Sequence, residues 1–104
     1  MIGAVGTALS GFQVASKRVA VAADNIANSS TEGYSAKRIQ QTSQAGGGVV
    51  ATLREAPREL TAEPSVDVAN ELVGLMTASY DAKANLKTIK VSDDMQKTLL
   101  DILS

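Results

Sequence analysis

The chain has 104 residues, of which 10 are basic and 11 acidic for a formal net charge of −1, and 44% are hydrophobic but only 3% aromatic. That length suits one domain, and the balanced charge offers no basic excess for releasing counterions from nucleic acid. The absence of His and Cys excludes disulfides, the usual zinc ligands, the common general base and the thiol nucleophile.

Aromatic residues supply the largest buried areas, and here they are Phe12, Tyr34 and Tyr80 alone. The apolar fraction therefore rests on Ala, Val, Leu and Ile, which favours close helix–helix contact over a thick core. No run approaches the ~18 consecutive apolar residues of a membrane span. The segment from Met1 to Leu9 is apolar, but no Lys or Arg precedes it and it runs on as an amphipathic pattern. It does not read as a cleaved secretory signal.

Over residues 2–28, Ile2, Val5, Leu9, Phe12, Ser16, Val19, Ala23 and Ile26 alternate three and four apart. That is the heptad period of a helix packed lengthwise on another. Gly3, Thr7 and Gly11 lie four apart on a flank that Val14 and Val21 continue. Such a row either lets a second helix come close or is merely tolerated at the usual cost of helical Gly, about 0.5–1 kcal/mol each. The pattern stops after Asn28. Ser29, Ser30, Thr31 and Gly33 form a turn cluster. Asn28 or Gly33 can carry the reversal, since both residue types tolerate positive φ, and the Thr31 hydroxyl can hold the exit geometry.

Residues 34–56 contain two short extended runs, Ser35–Thr42 and Val49–Arg54, around Gly46-Gly47-Gly48. They predict a loose β-hairpin with a flexible break, which needs a neighbour because an isolated hairpin is marginal in water. No Gly-Lys-Ser/Thr follows the triple glycine, so it is not a phosphate loop. Residues 55–65 hold both prolines, Pro57 and Pro64, and read as an extended linker.

Ser65 or Asp67 can cap a long second helix over residues 67–103, with Asp67 and Glu71 suited to its positive end. Val68, Leu72, Leu75, Ser79, Ala82, Leu86 and Ile89 form its seam. The seam blurs at Asp93, where the helix either rotates locally, bringing in Met95, Leu99 and Ile102, or bends. A second stripe (Ala69, Val73, Met76, Tyr80) asks for a second partner, and Tyr80 reads as a packing residue. Lys83, Lys87 and Lys90 read as a solvated row. The predicted fold is mainly α: two long terminal helices in an antiparallel coiled-coil-like pair, joined by a short extended segment or loose hairpin. Burial at ~25 cal/mol per Å² barely offsets ~1–2 kcal/mol of backbone ordering per residue in such a pair. The chain is therefore expected to be only partly ordered alone and to become ordered in an assembly.

Chemistry is sparse. Asp93-Asp94 and the Asp67/Glu71 pair are surface carboxylates on an amphipathic helix, and without His there is no triad. No residue carries an enzymatic reading, and no cofactor or metal is expected. The absent aromatic belt and mixed charge also disfavour a membrane-active amphipathic pair.

One constellation is more specific. Ala8-Leu9-Ser10-Gly11, then Asp24-Asn25-Ile26-Ala27-Asn28 and Thr31-x-Gly33-Tyr34, resemble the N-terminal signature of the bacterial flagellar axial proteins, the rod, hook and hook-associated family. Its usual form is Ala-Leu-Ser-Gly, then Asn-Asn-Ile-Ala-Asn and Thr-Pro-Gly-Tyr, so Asp24 and Glu32 are departures. Ser65-Val66-Asp67-Val68-Ala69-Asn70-Glu71-Leu72 is similar to the family's second helix start, Asn-Val-Asp-x-x-x-Glu-Met, with Ser65 and Leu72 as departures. Ala84-Asn85 resembles its Tyr-x-Ala-Asn box, with Tyr80 two positions early. Asp94-Met95 and Leu99-Leu100 fit its closing segment. The chain looks most like a short proximal-rod protein.

The resemblance implies a structural subunit of the basal-body rod, exported through the flagellar type III apparatus without a cleaved signal and built into a periplasm-spanning axial tube. Its partners would be other axial proteins, itself and the export apparatus, with no nucleic acid or small-molecule substrate. Residues 1–33 and 65–104 would be the axial helices and residues 34–64 the outward segment. The expected assembly residues are Leu9, Phe12, Val19, Ile26, Leu72, Leu75, Leu86 and Ile89, and the signature residues are Asn25, Asn28, Thr31, Gly33, Tyr34, Asp67, Glu71 and Asn85. A soluble helical-hairpin adaptor or secreted effector is the alternative; it explains the seams but not the Asn25–Tyr34 constellation.

Overall fold

The computed structural model describes residues 2–55 and 66–104. The linker prolines Pro57 and Pro64, and Ser65 as a possible cap, lie outside the described residues. Helix α1 spans Ile2–Ala27, strand β1 Lys37–Ser43, strand β2 Val49–Glu55 and helix α2 Val68–Leu103. The fold is mainly helical, with two helices joined by a two-stranded antiparallel hairpin. At 26 and 36 residues, the helices are about 39 and 54 Å long. No helix among the described residues is long and apolar enough to cross a membrane.

The helices run antiparallel. Ala22 shares a groove with Glu71 and Gly74, Arg18 pairs with Asp81, Gly11 meets Asn85, and Val5 shares a groove with Leu86 and Ile89. The row between them is not the apolar one expected from the sequence. Ala8, Ala15, Ala22 and Asn25 of α1 are buried, as are Glu71, Ala78 and Ser92 of α2. Gly11, Arg18, Gly74, Asp81 and Asn85 fill the same row. These positions also alternate three and four apart, but about 100° round each helix from the expected seams. Small residues let the backbones approach, and the polar members find partners across the contact, as in Arg18 Nη1–Asp81 Oδ2 at 3.0 Å.

The expected seams flank this contact instead. Leu9, Leu72 and Leu86 are 46, 47 and 48% exposed, while Phe12, Val19, Ile26, Leu75 and Ile89 are half-buried. In an antiparallel pair the two rotations bring both apolar stripes to one side, opposite the hairpin. Val5, Leu86 and Ile89 lining a single groove mark that side. The second stripe of α2 is bare: Val73, Met76 and Tyr80 are 63, 67 and 76% exposed. Tyr80 is thus no internal packing residue.

The small-residue row on α1 is used at one point. A Cβ on Gly11 would sit 2.9 Å from the Asn85 amide, whereas one on Gly3 would meet nothing within 4 Å. Close approach is required at Gly11 and helical Gly is merely tolerated at Gly3. Helix α2 is continuous through Asp93. Beyond Ser92, the last buried position, every residue to Ser104 is exposed, because α1 has run out beside it.

The hairpin pairs Lys37 with Glu55 through Ser43 with Val49. Its alternate residues Lys37, Ile39, Val49 and Ala51 are the partly buried ones, and they face α1. The glycine loop forms a closed turn. Gln44 N–H donates to Gly48 O at 2.9 Å, and Gly46, Gly47 and Gly48 all have φ between 93 and 99°.

Candidate functional site, a clasp at the exit of the first helix

The signature residues other than Asn85 gather where α1, the hairpin and α2 meet. Asn25 is fully buried at the end of α1. Its Oδ1 accepts from the Lys37 N–H at 2.9 Å and its Nδ2 donates to Lys37 O at 2.8 Å. The amide thus serves both main-chain groups of Lys37 as a residue of a neighbouring strand would, and it fixes where β1 begins. A buried amide is tolerated only when so paired, and among the described residues no buried side-chain N or O lacks a partner.

The Tyr34 hydroxyl lies 2.8 Å from Asn25 Oδ1 and 3.2 Å from Asp24 Oδ2, with one proton shared between the two acceptors. Asp24 Oδ2 also accepts from Lys37 Nζ at 3.0 Å. Asn28 Nδ2 reaches back to Asp24 O and Oδ1 at 2.9 and 3.1 Å, and the Thr31 hydroxyl donates to Asn28 Oδ1 at 3.2 Å. Turn bonds from Asn28 N to Asp24 O and from Thr31 N to Asn28 O carry the chain out of the helix. The reversal falls to Gly33, at φ 75°; no residue other than glycine has positive φ among the described residues, so Asn28 does not share it.

The charges are set by this geometry. Hydrogen bonds from Lys37 and then Tyr34 hold the Asp24 carboxyl below its ordinary pKa. Burial, then the bond to Asp24, pushes the Tyr34 hydroxyl up. The bond to Asp24 raises the Lys37 ammonium.

Two further contacts tie the clasp to α2. Arg38 Nη1 bonds Glu71 Oε1, and the Glu71 side chain is only 9% exposed. Asp67 caps α2: its Oδ1 accepts from Asn70 N at 3.2 Å, and Glu71 N bonds Asp67 O at 2.9 Å. At the other end of the hairpin, Val49 N–H donates to Ser10 Oγ at 3.1 Å. Next to it, the Asn85 side chain lies over Gly11 and donates to Asp81 O at 3.0 Å.

Seven of the eight signature residues lie in one intramolecular junction, and Asn85 lies apart from it, over Gly11 at the other end of the hairpin. The expected assembly residues lie outside it, along the flanking stripes. Among the residues that make these contacts, Arg18, Lys37, Arg38 and Asp81 were not singled out from the sequence. Lys37 was signalled by the exchange of Asn for Asp at 24, which puts a carboxylate where a cation can answer it. The contacts are hydrogen bonds, ion pairs and caps. Among the described residues no cluster of three or more His, Cys, Asp or Glu could hold a metal.

Residues 6–34 match the family model described as flagella basal body rod protein. That segment runs from the start of α1 through Tyr34 and includes Ser10, Gly11, Asn25, Asn28, Thr31 and Gly33. The search of curated proteins finds no match to the chain. The matched family is one of structural rod proteins and not of enzymes. The first helix and exit turn of this chain carry the signature of the flagellar basal-body rod family.

Proposed function

We propose that the chain is a structural subunit of the flagellar basal-body rod, of the short proximal-rod kind, assembling by helical packing into an axial tube. The observation that carries this reading is the pairing of a locked junction with an unfilled apolar face. The clasp fixes how the hairpin leaves the helices. On the opposite side, Leu9, Phe12, Val19 and Ile26 of α1 and Leu72, Leu75, Leu86 and Ile89 of α2 form one two-helix-wide surface, its leucines at 9, 72 and 86 about half exposed. Leucines about half exposed and gathered on one face favour a contact surface. We assign it to contacts with other axial subunits and with copies of the same chain. Residues 1–33 and 65–104 then form the axial layer and residues 34–64 the outward segment. The chain reaches the rod through the flagellar export apparatus.

The test is electron microscopy of purified basal bodies from a strain carrying a tagged chain. Label on the rod is the expected result. A rod without label, with the tag recovered in the soluble fraction, overturns the reading in favour of an adaptor.

A further inference from the structure

A second exposed row on α2 is distinct from the face just assigned. Tyr80, Val91 and Ile102 recur every eleven residues, and so do Val73, Ala84 and Met95; all six are exposed. Eleven residues complete almost three whole turns, so these positions run nearly straight along the helix. The row lies about 100° from the contact with α1, on the side away from the first apolar stripe. It continues onto the tail beyond Ser92, where α2 has no α1 beside it.

Charges border one flank of this row in two blocks. Lys83 and Lys87 come first and Asp94 and Asp101 follow, with Lys90 at the outer edge of the flank, where it also lines the groove of Val5, Leu86 and Ile89. Lys83, Lys90, Asp94 and Asp101 form no ion pair among the described residues; the pair made on this part of the helix is Lys97–Asp93 at 2.7 Å. Lys90 and Asp94 are four apart, but with the cation first, the weaker order for a helical pair.

We infer that the row is a docking surface for the α2 tail of a second copy of this chain, in an antiparallel pair about a twofold axis near Val91. In such a pair each flank faces the same flank of the partner. Lys83 then meets Asp101, and Lys90 meets Asp94, twice over. Along the row Val91 meets its own copy, Tyr80 meets Ile102, and Thr88 meets Met95. Lys87 falls opposite Lys97, whose charge is already answered by Asp93. The overlap is about 33 Å of helix. It covers both bare tails, and the apolar row supplies the attraction. Solvated ion pairs add little energy but fix direction and register.

Sedimentation of the purified chain and cysteine cross-linking test this, the latter helped by the absence of native Cys. The inference predicts a reversible dimer. Lys83→Glu with Lys90→Glu should raise its dissociation constant by about tenfold or more, because carboxylates then face carboxylates. Adding Asp94→Lys and Asp101→Lys to the same chain should restore it, which mere unfolding would not allow. Val91→Cys should form an intermolecular disulfide under mild oxidation, while Val73→Cys, on the same row outside the overlap, should not. A chain that remains monomeric at all concentrations, a fourfold charge swap that does not restore association, or equal cross-linking at 73 and 91 overturns it. No rod is present in these measurements, so their outcome is separate from that of the labelled-rod experiment.

Discussion

At the scale of single residues, Asn25 is the most exacting position. Asn25→Ala would leave both main-chain groups of Lys37 unanswered in a buried place and take away one of the two acceptors of the Tyr34 proton. The expected loss is about 1–3 kcal/mol, read as a lower denaturation midpoint at unchanged slope. Asn25→Asp should fare no better, since it removes the donor to Lys37 O and places a second carboxylate beside Asp24. The clasp also sets a pH window. Asp24 is held below its ordinary pKa, so its contribution is present above the unfolded carboxylate range and is lost as pH falls through the lower folded value. Tyr34 and Lys37 are held above theirs, so their contributions are present below the unfolded values and are lost as pH rises through the folded ones. Stability should therefore be flat between about pH 5 and pH 9 and fall on both sides. Asp24→Asn, the residue usual in the family, should remove most of Asp24's own share of the acid limb. The turn itself was legible in the sequence because Asn, Thr and Gly have few other uses in that order. The partner of Asn25 was not, because a bond to the main chain of Lys37 leaves no trace in residue 37's side chain.

At the scale of elements, both helices and the hairpin were readable from period, turn residues and Pro/Gly punctuation. What periodicity does not reveal is phase. Two rows on α1 share the three–four spacing, one built on Leu9, Phe12 and Val19 and the other on Ala8, Ala15 and Ala22. The row of small residues faces α2, with Gly11 against the Asn85 side chain and Ala8, Ala15, Ala22 and Ala78 buried. Here Gly11 and Gly3 make a sharp comparison. Gly11→Leu must displace the Asn85 side chain 2.9 Å away and push the helices apart, at an expected cost of about 1–3 kcal/mol. Gly3→Ala meets nothing within 4 Å and should be neutral or stabilise by up to about 1 kcal/mol through helix propensity. Thermal melts of the two variants check this, and equal destabilisation would mean that the helices do not meet at Gly11.

At the scale of the molecule, the radius of gyration is 18.1 Å and the extents are 67 × 25 × 14 Å, against about 13 Å for a compact domain of 100 residues. The chain is elongated, with Leu9, Leu72 and Leu86 about half exposed, as the proposed packing between subunits requires. Its far-UV helical signal should therefore rise with protein concentration, and a concentration-independent, cooperatively unfolding monomer would count against that. The expectation of an assembly rests on the scarcity of aromatic residues and the surplus stripe on α2. Which face meets which neighbour was not, because it depends on the phase of the internal seam. The central claim is that the face opposite the hairpin joins subunits. It is tested most directly by placing charge on it, Leu9→Glu or Leu86→Glu, and measuring incorporation of the chain into purified basal-body rods. Both side chains are nearly half exposed and lie outside the internal seam. The account predicts a normal circular dichroism spectrum for the isolated variant, no incorporation and no motility. Normal rods and normal swimming in either strain would contradict it.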